Sequence, residues 1–88
     1  MPEISRFLGI VIKMFYSDDD QHHKPHVHAY YGDFEASIGI DGELLAGCIP
    51  VRQLRIISGW LALHDDELYR MWNLAVAGRP IHKIDPIS

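Results

Sequence analysis

Residues 26–40, which read HVHAYYGDFEASIGI, decide the fold predicted from this sequence. Two segments rich in β-branched and aromatic residues, His26–Tyr31 and Phe34–Ile40, flank the dipeptide Gly32-Asp33. Glycine at the first of two loop positions is typical of a type II′ turn, so the segments are predicted to form an antiparallel hairpin. A two-residue loop also fixes the register of the two strands.

This register predicts one apolar and one polar face for the hairpin, because successive side chains of a strand point to opposite sides. The apolar face contains the pairs Val27 with Ile38, Ala29 with Ala36, and Tyr31 with Phe34. The polar face places His26, His28 and Tyr30 opposite Gly39, Ser37 and Glu35. We expect the apolar face to join the core and the histidine face to point outward.

Further strands are predicted on both sides of the hairpin. Leu8–Tyr16 is apolar and rich in β-branched residues, which indicates a buried first strand. Ser17–Pro25 has no periodicity and is predicted to be a loop. Asp41-Gly42 is a strong hairpin signal and predicts a return strand over Glu43–Gly47.

Two helices are predicted in the second half of the chain. The first begins near Pro50, ends near His64 and carries the apolar stripe Leu54, Ile57, Trp60, Leu61. The second is capped by Asp65, is closed by Gly78 and carries the stripe Leu68, Met71, Trp72, Ala75. Residues 81–87 are predicted to form a short extended tail that adds a strand or packs on the sheet edge.

The predicted fold class is therefore α+β: an antiparallel sheet of about four strands followed by two helices packed on one face, with a short extended C-terminal tail. At 88 residues, of which 48% are hydrophobic, the chain is expected to form a single domain over residues 1–88. A core of this size gives a thin stability margin, which favours association with a small protein partner or a homodimer.

Composition and charge argue against several classes of function. The net charge of −4 and the dispersed lysines and arginines make nucleic acid an unlikely partner, so no nucleic-acid-binding residues are predicted. The apolar run Phe7–Tyr16 is too short to span a membrane. The single Cys48, interpreted as a core residue, and an opening MPEIS without a basic segment indicate a cytoplasmic protein.

A cluster of four histidines between Asp18 and His28 is the main chemical feature of the sequence, and three interpretations of it stay open. The first is that these are surface histidines beside an acidic loop. The second is a site for a divalent metal ion. His26 and His28 would lie about 6 to 7 Å apart on one strand face, and His23 and Asp20 could supply further ligands.

The third interpretation is acid–base catalysis, with His26 and His28 as general base and general acid in phosphodiester cleavage. Lys13, Arg6 and Lys24 would then be the cations beside the phosphate, and Tyr30 a hydrogen-bond donor. The acidic residues 18–20 argue against this reaction unless they hold a metal ion.

The order of motifs resembles a known bacterial family. These motifs are residues 1–7 (MPEISRF), residues 25–29 (PHVHA), Trp60, Leu63-His64, and residues 72–75 (WNLA), and the likeness continues to residues 83–86. They resemble the uncharacterised family named domain of unknown function 4160. The motif histidines match His26 and His28. The family has prolines at positions 23 and 24, so a ligand role for His23 would be particular to this chain.

The resemblance brings no established activity and no catalytic role for the motif histidines. It implies a protein partner, because the bacterial genes of the family often lie beside a gene for another small protein, as in toxin–antitoxin pairs. The function expected from the sequence is therefore an interaction module of a toxin–antitoxin-like pair. The alternative is a metal-binding or phosphodiester-cleaving enzyme that uses His26 and His28.

Overall fold

The computed structural model describes residues 3–14 and 24–84. This part of the chain forms a five-stranded antiparallel sheet followed by two helices, which confirms the α+β prediction with one more strand than expected. The elements are β1 (Glu3–Phe7), β2 (Ile10–Lys13), β3 (His26–Tyr31), β4 (Phe34–Gly39), β5 (Leu44–Cys48), α1 (Val51–Leu63) and α2 (Asp65–Val76). The strands lie in the order β1-β2-β3-β4-β5, so each strand pairs with its neighbour in sequence.

The additional strand, β1, precedes the predicted first strand Leu8–Tyr16, which contains β2 over Ile10–Lys13. The chain turns at Leu8-Gly9, and β1 pairs with β2 from Phe7 opposite Ile10 onward. Both turn residues have positive φ, 51° for Leu8 and 78° for Gly9, which allows a tight two-residue connection. A leucine in this conformation is uncommon, so the turn carries no strong sequence signal.

The register predicted for the central hairpin is confirmed. Val27 pairs with Ile38, Ala29 with Ala36, and Tyr31 with Phe34 around the Gly32-Asp33 turn. Gly32 has φ of 56°, a conformation that glycine adopts without steric cost. The alternation along the two strands therefore separates the apolar face from the polar one, as the sequence predicts.

The core lies between the apolar face of the sheet and the two helices. Strand residues such as Ile10, Ile12 and Val27 are fully buried, and helix residues such as Ile57 and Met71 join the same cluster. The predicted helix stripes are confirmed at Ile57, Trp60, Leu61, Leu68, Met71 and Trp72, all of which are buried. Neither helix in the described ranges is long and apolar enough to cross a membrane.

The ends of α2 differ in how well the sequence predicts them. The helix begins at Asp65, and its N-cap is His64 without a side-chain capping bond, so the assignment of Asp65 as the cap is wrong by one residue. The C-terminal end follows the prediction. Gly78 has φ of 75°, and the amides of Gly78 and Arg79 donate to the carbonyls of Ala75 and Leu74 in a Schellman motif.

The chain after α2 returns to the sheet, as predicted for the tail. The amide of Ile84 donates a 2.7 Å hydrogen bond to the carbonyl of Ile4 in β1, and the Ile84 side chain is buried. The tail therefore covers part of the outer edge of β1. Its predicted continuation to residue 87 lies outside the described residues.

Candidate functional site

Two rows of side chains cross the sheet on the side opposite Val27 and Ala29. The paired residues of the first row are Lys13, His28, Ser37 and Ala46, and those of the second are Val11, Tyr30, Glu35 and Cys48. We call Lys13, His28, Tyr30, Glu35 and Ser37 the polar face. Three of the predicted candidates, Lys13, His28 and Tyr30, therefore lie side by side on adjacent strands.

His28 occupies the centre of the polar face. Its side chain is half-buried, and its Nδ1 lies 3.4 Å from Ser37 Oγ, which is long for a strong hydrogen bond. Its ring centroid is 5.1 Å from that of His26 in an edge-to-face arrangement. The structure thus brings the two motif histidines together, as their spacing predicts.

His26 does not point outward, and this part of the prediction is wrong. The residue is fully buried, and its ring centroid lies 5.1 Å from that of the core residue Trp72. His26 Nδ1 lies 2.8 Å from the carbonyl oxygen of Lys24. Because a carbonyl oxygen only accepts, Nδ1 carries the proton and donates this bond. His26 therefore packs between the sheet and α2, where a solvated ligand has no direct access to it.

Lys13, Tyr30 and Glu35 form a connected group beside His28. The Lys13 ammonium lies 5.0 Å from the centre of the Tyr30 ring, within the range of a cation–π contact. Desolvation by burial raises the pKa of the Tyr30 hydroxyl, and the charge of Glu35 and a hydrogen bond to its side chain raise it further. Tyr30 therefore stays protonated and donates its hydrogen bond to the Glu35 carboxylate.

The other two cations proposed for a phosphate are already paired. Arg6 binds Glu3 at 2.8 Å. Lys24 Nζ binds Asp41 Oδ2 at 2.7 Å and Glu43 Oε1 at 2.5 Å. The hydrogen bonds to Asp41 and Glu43 raise the pKa of Lys24 to about 12 and fasten the start of β3 to the β4–β5 turn. Of the three cations, Lys13 is the one on the polar face.

The described residues supply no third ligand for the predicted metal site. Within residues 3–14 and 24–84, no group of three histidine, cysteine, aspartate or glutamate side chains is placed to hold a metal ion. The predicted ligands His23 and Asp20 lie outside these ranges. His26 and His28 are thus the two described members of the predicted ligand set.

Outside the motif pair, the described residues include two further histidines, His64 and His82, and Cys48. His64 stacks on Trp60 with ring centroids 5.3 Å apart, and His82 Nε2 lies 2.7 Å from Glu67 Oε2. Cys48 is exposed at the end of β5, so its assignment to the core is wrong. The physical reason is its register opposite Glu35, which places it on the polar side of an edge strand.

A surface depression of about 180 Å³ lies where β4 meets β5. It is lined by Glu35, Ala36, Ser37, Ala46 and Gly47. Sequence reasoning assigned no site role to these residues. The small residues Ala46 and Gly47 opposite a strand that alternates polar and apolar side chains are the signal that could have indicated it.

A second concave surface, of about 230 Å³, lies on α1. Arg55, Ile56, Gly59, Trp60 and Leu63 line it. Its walls are mostly apolar, and it lies on a helix, away from the strand edge formed by β5. This surface serves as a control site in experiments that test binding at the edge of the sheet.

Comparisons with known proteins identify the family of the chain. The family described as Domain of unknown function (DUF4160) matches residues 9–73, a range that includes the PHVHA motif, the whole sheet from β2 to β5, and α1. No curated protein and no solved structure gives a significant match. Because the matched range covers well over half of the sequence, the chain belongs to this family of unknown function.

Proposed function

We propose that this protein is a small interaction module that binds a strand of a protein partner along the outer edge of β5. The single observation that carries this proposal is the character of that edge. In the described part of the chain, no strand pairs with the outer side of β5, and four of its five residues are exposed. Strand edges of this kind accept a further strand through main-chain hydrogen bonds.

The composition of β5 supports this role. Residues 44–50, LLAGCIP, contain no charged side chain, although charges are the usual protection of a free edge. Leu44, at the start of the strand, is 45% exposed. These features favour a role in which a partner binds along β5 in the functional protein.

The opposite edge of the sheet provides a contrast. β1 carries the exposed ion pair between Arg6 and Glu3, and the tail contributes the hydrogen bond from Ile84 to Ile4. Charge and a covering segment both discourage pairing with another chain. The asymmetry between the edges therefore favours β5 as the docking strand.

The partner we propose is a small protein, as in a toxin–antitoxin-like pair. The gene arrangement implied by the family resemblance supports this choice. We place the pair in the bacterial cytoplasm, since a lone exposed thiol at Cys48 suits a reducing compartment.

Co-purification with the small protein encoded by the adjacent gene tests the proposal. Ala46→Lys places a charge on the β5 edge, whereas Ala62→Lys makes the same change on the exposed side of α1. We expect Ala46→Lys to abolish co-purification while Ala62→Lys retains it, with both variants folded by circular dichroism. Loss of the complex in Ala62→Lys alone would contradict docking on β5.

A second candidate function rests on the adjacency of Lys13 and His28. A half-buried imidazole opposite a lysine on the neighbouring strand can take a proton from the attacking group, or give one to the leaving group, in the cleavage of a bound phosphodiester, or it can bind a divalent metal ion together with other ligands. His26 is fully buried, whereas His28 is partly exposed, with its Nε2 atom enclosed.

Calorimetric titration of the metal-free protein with zinc, nickel and manganese tests this candidate. Tight stoichiometric binding that His28→Ala abolishes, with the fold intact, would support a metal site. Equal binding by His28→Ala, or by the His26→Ala, His28→Ala double variant, would contradict it. The same variants, assayed on a model phosphodiester, test the cleavage reaction.

A further inference from the structure

The depression between β4 and β5 lies directly beside the proposed docking edge. Its floor is open because Ala46 has a short side chain and Gly47 has none. Gly47 has φ of 77°, and a Cβ on it would overlap the carbonyl oxygen of Glu35 and lie 3.0 Å from the Cα of Ala36. The close approach of the two strands at this point therefore requires glycine and leaves the space above it empty.

One carboxylate lies at the rim of this space. Glu35 is exposed and accepts a hydrogen bond from Tyr30, which holds it on the polar face. In the described part of the chain, no lysine or arginine forms an ion pair with Glu35. Lys13, on the same face, lies over the ring of Tyr30 instead. Glu35 is therefore placed to bind a positive group that comes from outside the chain.

The geometry of a sheet sets the length of the side chain that can reach Glu35. A strand added to β5 would lie two strand spacings from β4, or about 9.5 Å. Alternate side chains of that strand would point to the polar face, and one beside Cys48, in the row of Glu35, would cross only that small residue on its way to Glu35. Lysine and arginine side chains are long enough for this crossing.

We infer that the strand bound by β5 is basic, and that one of its lysine or arginine side chains lies in the depression and pairs with Glu35. This inference rests on the proposed function, because it names the chemistry of the partner that the β5 edge accepts. The net charge of −4 attracts a basic strand, and residues 44–50 carry no positive charge that would repel it at the edge.

Titration of the full ¹⁵N-labelled chain with three synthetic peptides tests the inference. Each nine-residue peptide has valine at alternate positions, and the intervening positions are arginine, glutamine or glutamate. Amide hydrogen exchange of residues 44–48 reports edge pairing, and the chemical-shift titration gives the Kd. We expect the arginine peptide to slow exchange in β5 and to bind about fivefold more tightly than the glutamine peptide, the upper range for a surface ion pair.

Two matched variants assign this preference to Glu35. Glu35→Gln should remove the difference between the arginine and glutamine peptides. Asp33→Asn, which removes the same charge from the neighbouring exposed turn, should retain most of it. Retention of the full preference in Glu35→Gln would overturn the inference.

The remaining outcomes separate the inference from the proposed function. If all three peptides slow β5 exchange equally, or the glutamate peptide binds best, the basic partner is refuted and edge docking stands. If no peptide affects residues 44–48, edge docking is refuted as well. If these amides are already protected in the free protein and it sediments as a dimer, a second copy occupies the edge and the inference fails.

Discussion

Replacing Gly47 by alanine tests the strand geometry that creates the depression. The substitution has two costs: a left-handed backbone for a residue with a Cβ, and overlap of that Cβ with the carbonyl oxygen of Glu35. The first cost is about 1–2 kcal/mol. The second, which requires a backbone shift in a packed sheet, adds roughly 1–3 kcal/mol. We therefore expect Gly47→Ala to lower the free energy of unfolding by about 3 kcal/mol.

Gly78→Ala is the matched control for this substitution. Gly78 has nearly the same φ, 75° against 77°, but no atom lies within 4 Å of the Cβ that alanine would add. Gly78→Ala should therefore lower the free energy of unfolding only by the cost of the left-handed backbone, about 1–2 kcal/mol. The entropy that alanine removes from the unfolded chain is similar at both sites, so it cancels in the comparison.

Urea denaturation followed by tryptophan fluorescence measures both variants. A domain of this size has roughly 5 kcal/mol of stability, so Gly47→Ala should leave it only marginally folded while Gly78→Ala retains a clear transition. Equal losses in the two variants would refute the close approach of β5 to Glu35. The depression derived from it would then have no structural basis.

Three further substitutions test the environment of the polar face and of the β4–β5 turn. His26→Ala should lower the free energy of unfolding, measured by urea denaturation, by about 2 kcal/mol or more, because it opens a cavity in the core. His28→Ala should lower it clearly less. A larger loss in His28→Ala would contradict the buried position of His26. Lys24→Met should lower stability between pH 3.8 and 10.5, the ordinary pKa values of Asp41 and Lys24. The stability difference between the parent and Lys24→Met should shrink in acid. The ion pair lowers the pKa of Asp41, so its contribution is lost as the pH falls through that lowered pKa. It should also shrink as the pH rises through about 12, the raised pKa of Lys24; a pH-independent difference would refute the ion pair. Spectrophotometric titration should show one phenol with a raised pKa that Tyr30→Phe removes, and its persistence would assign that phenol elsewhere.

The sequence predicts the central hairpin and α2 well because local chemistry determines both. A two-residue loop with glycine at Gly32 fixes the register, and Gly78 ends α2 through a local pattern of hydrogen bonds. Neither feature depends on distant parts of the chain. The agreement of prediction and structure at these points follows from that independence.

The N-terminal hairpin could not be predicted in the same way. Residues 8–16 form an apolar run interrupted only by Lys13, and the turn at its start uses Leu8 with a positive φ instead of asparagine or aspartate. Pairing of β1 with β2 stabilises a conformation that leucine rarely adopts. Tertiary packing therefore decides this turn.

The burial of His26 is likewise a tertiary effect. Alternation along β3 assigns His26 and His28 to one polar face, and nothing in the local sequence distinguishes them. The contact with Trp72, 46 positions along the chain, buries one and leaves the other half-buried. The candidate site is therefore smaller than the two-histidine site expected from the motif.

Amide hydrogen exchange of the full chain, alone and bound to the small-protein partner of the proposed pair, tests the central claim most directly. If β5 is the docking strand, binding should slow exchange at residues 44–48 and leave α1 unchanged. Slowed exchange confined to residues 55–63 of α1, with no change in β5, would contradict edge docking and assign the interface to the groove on that helix.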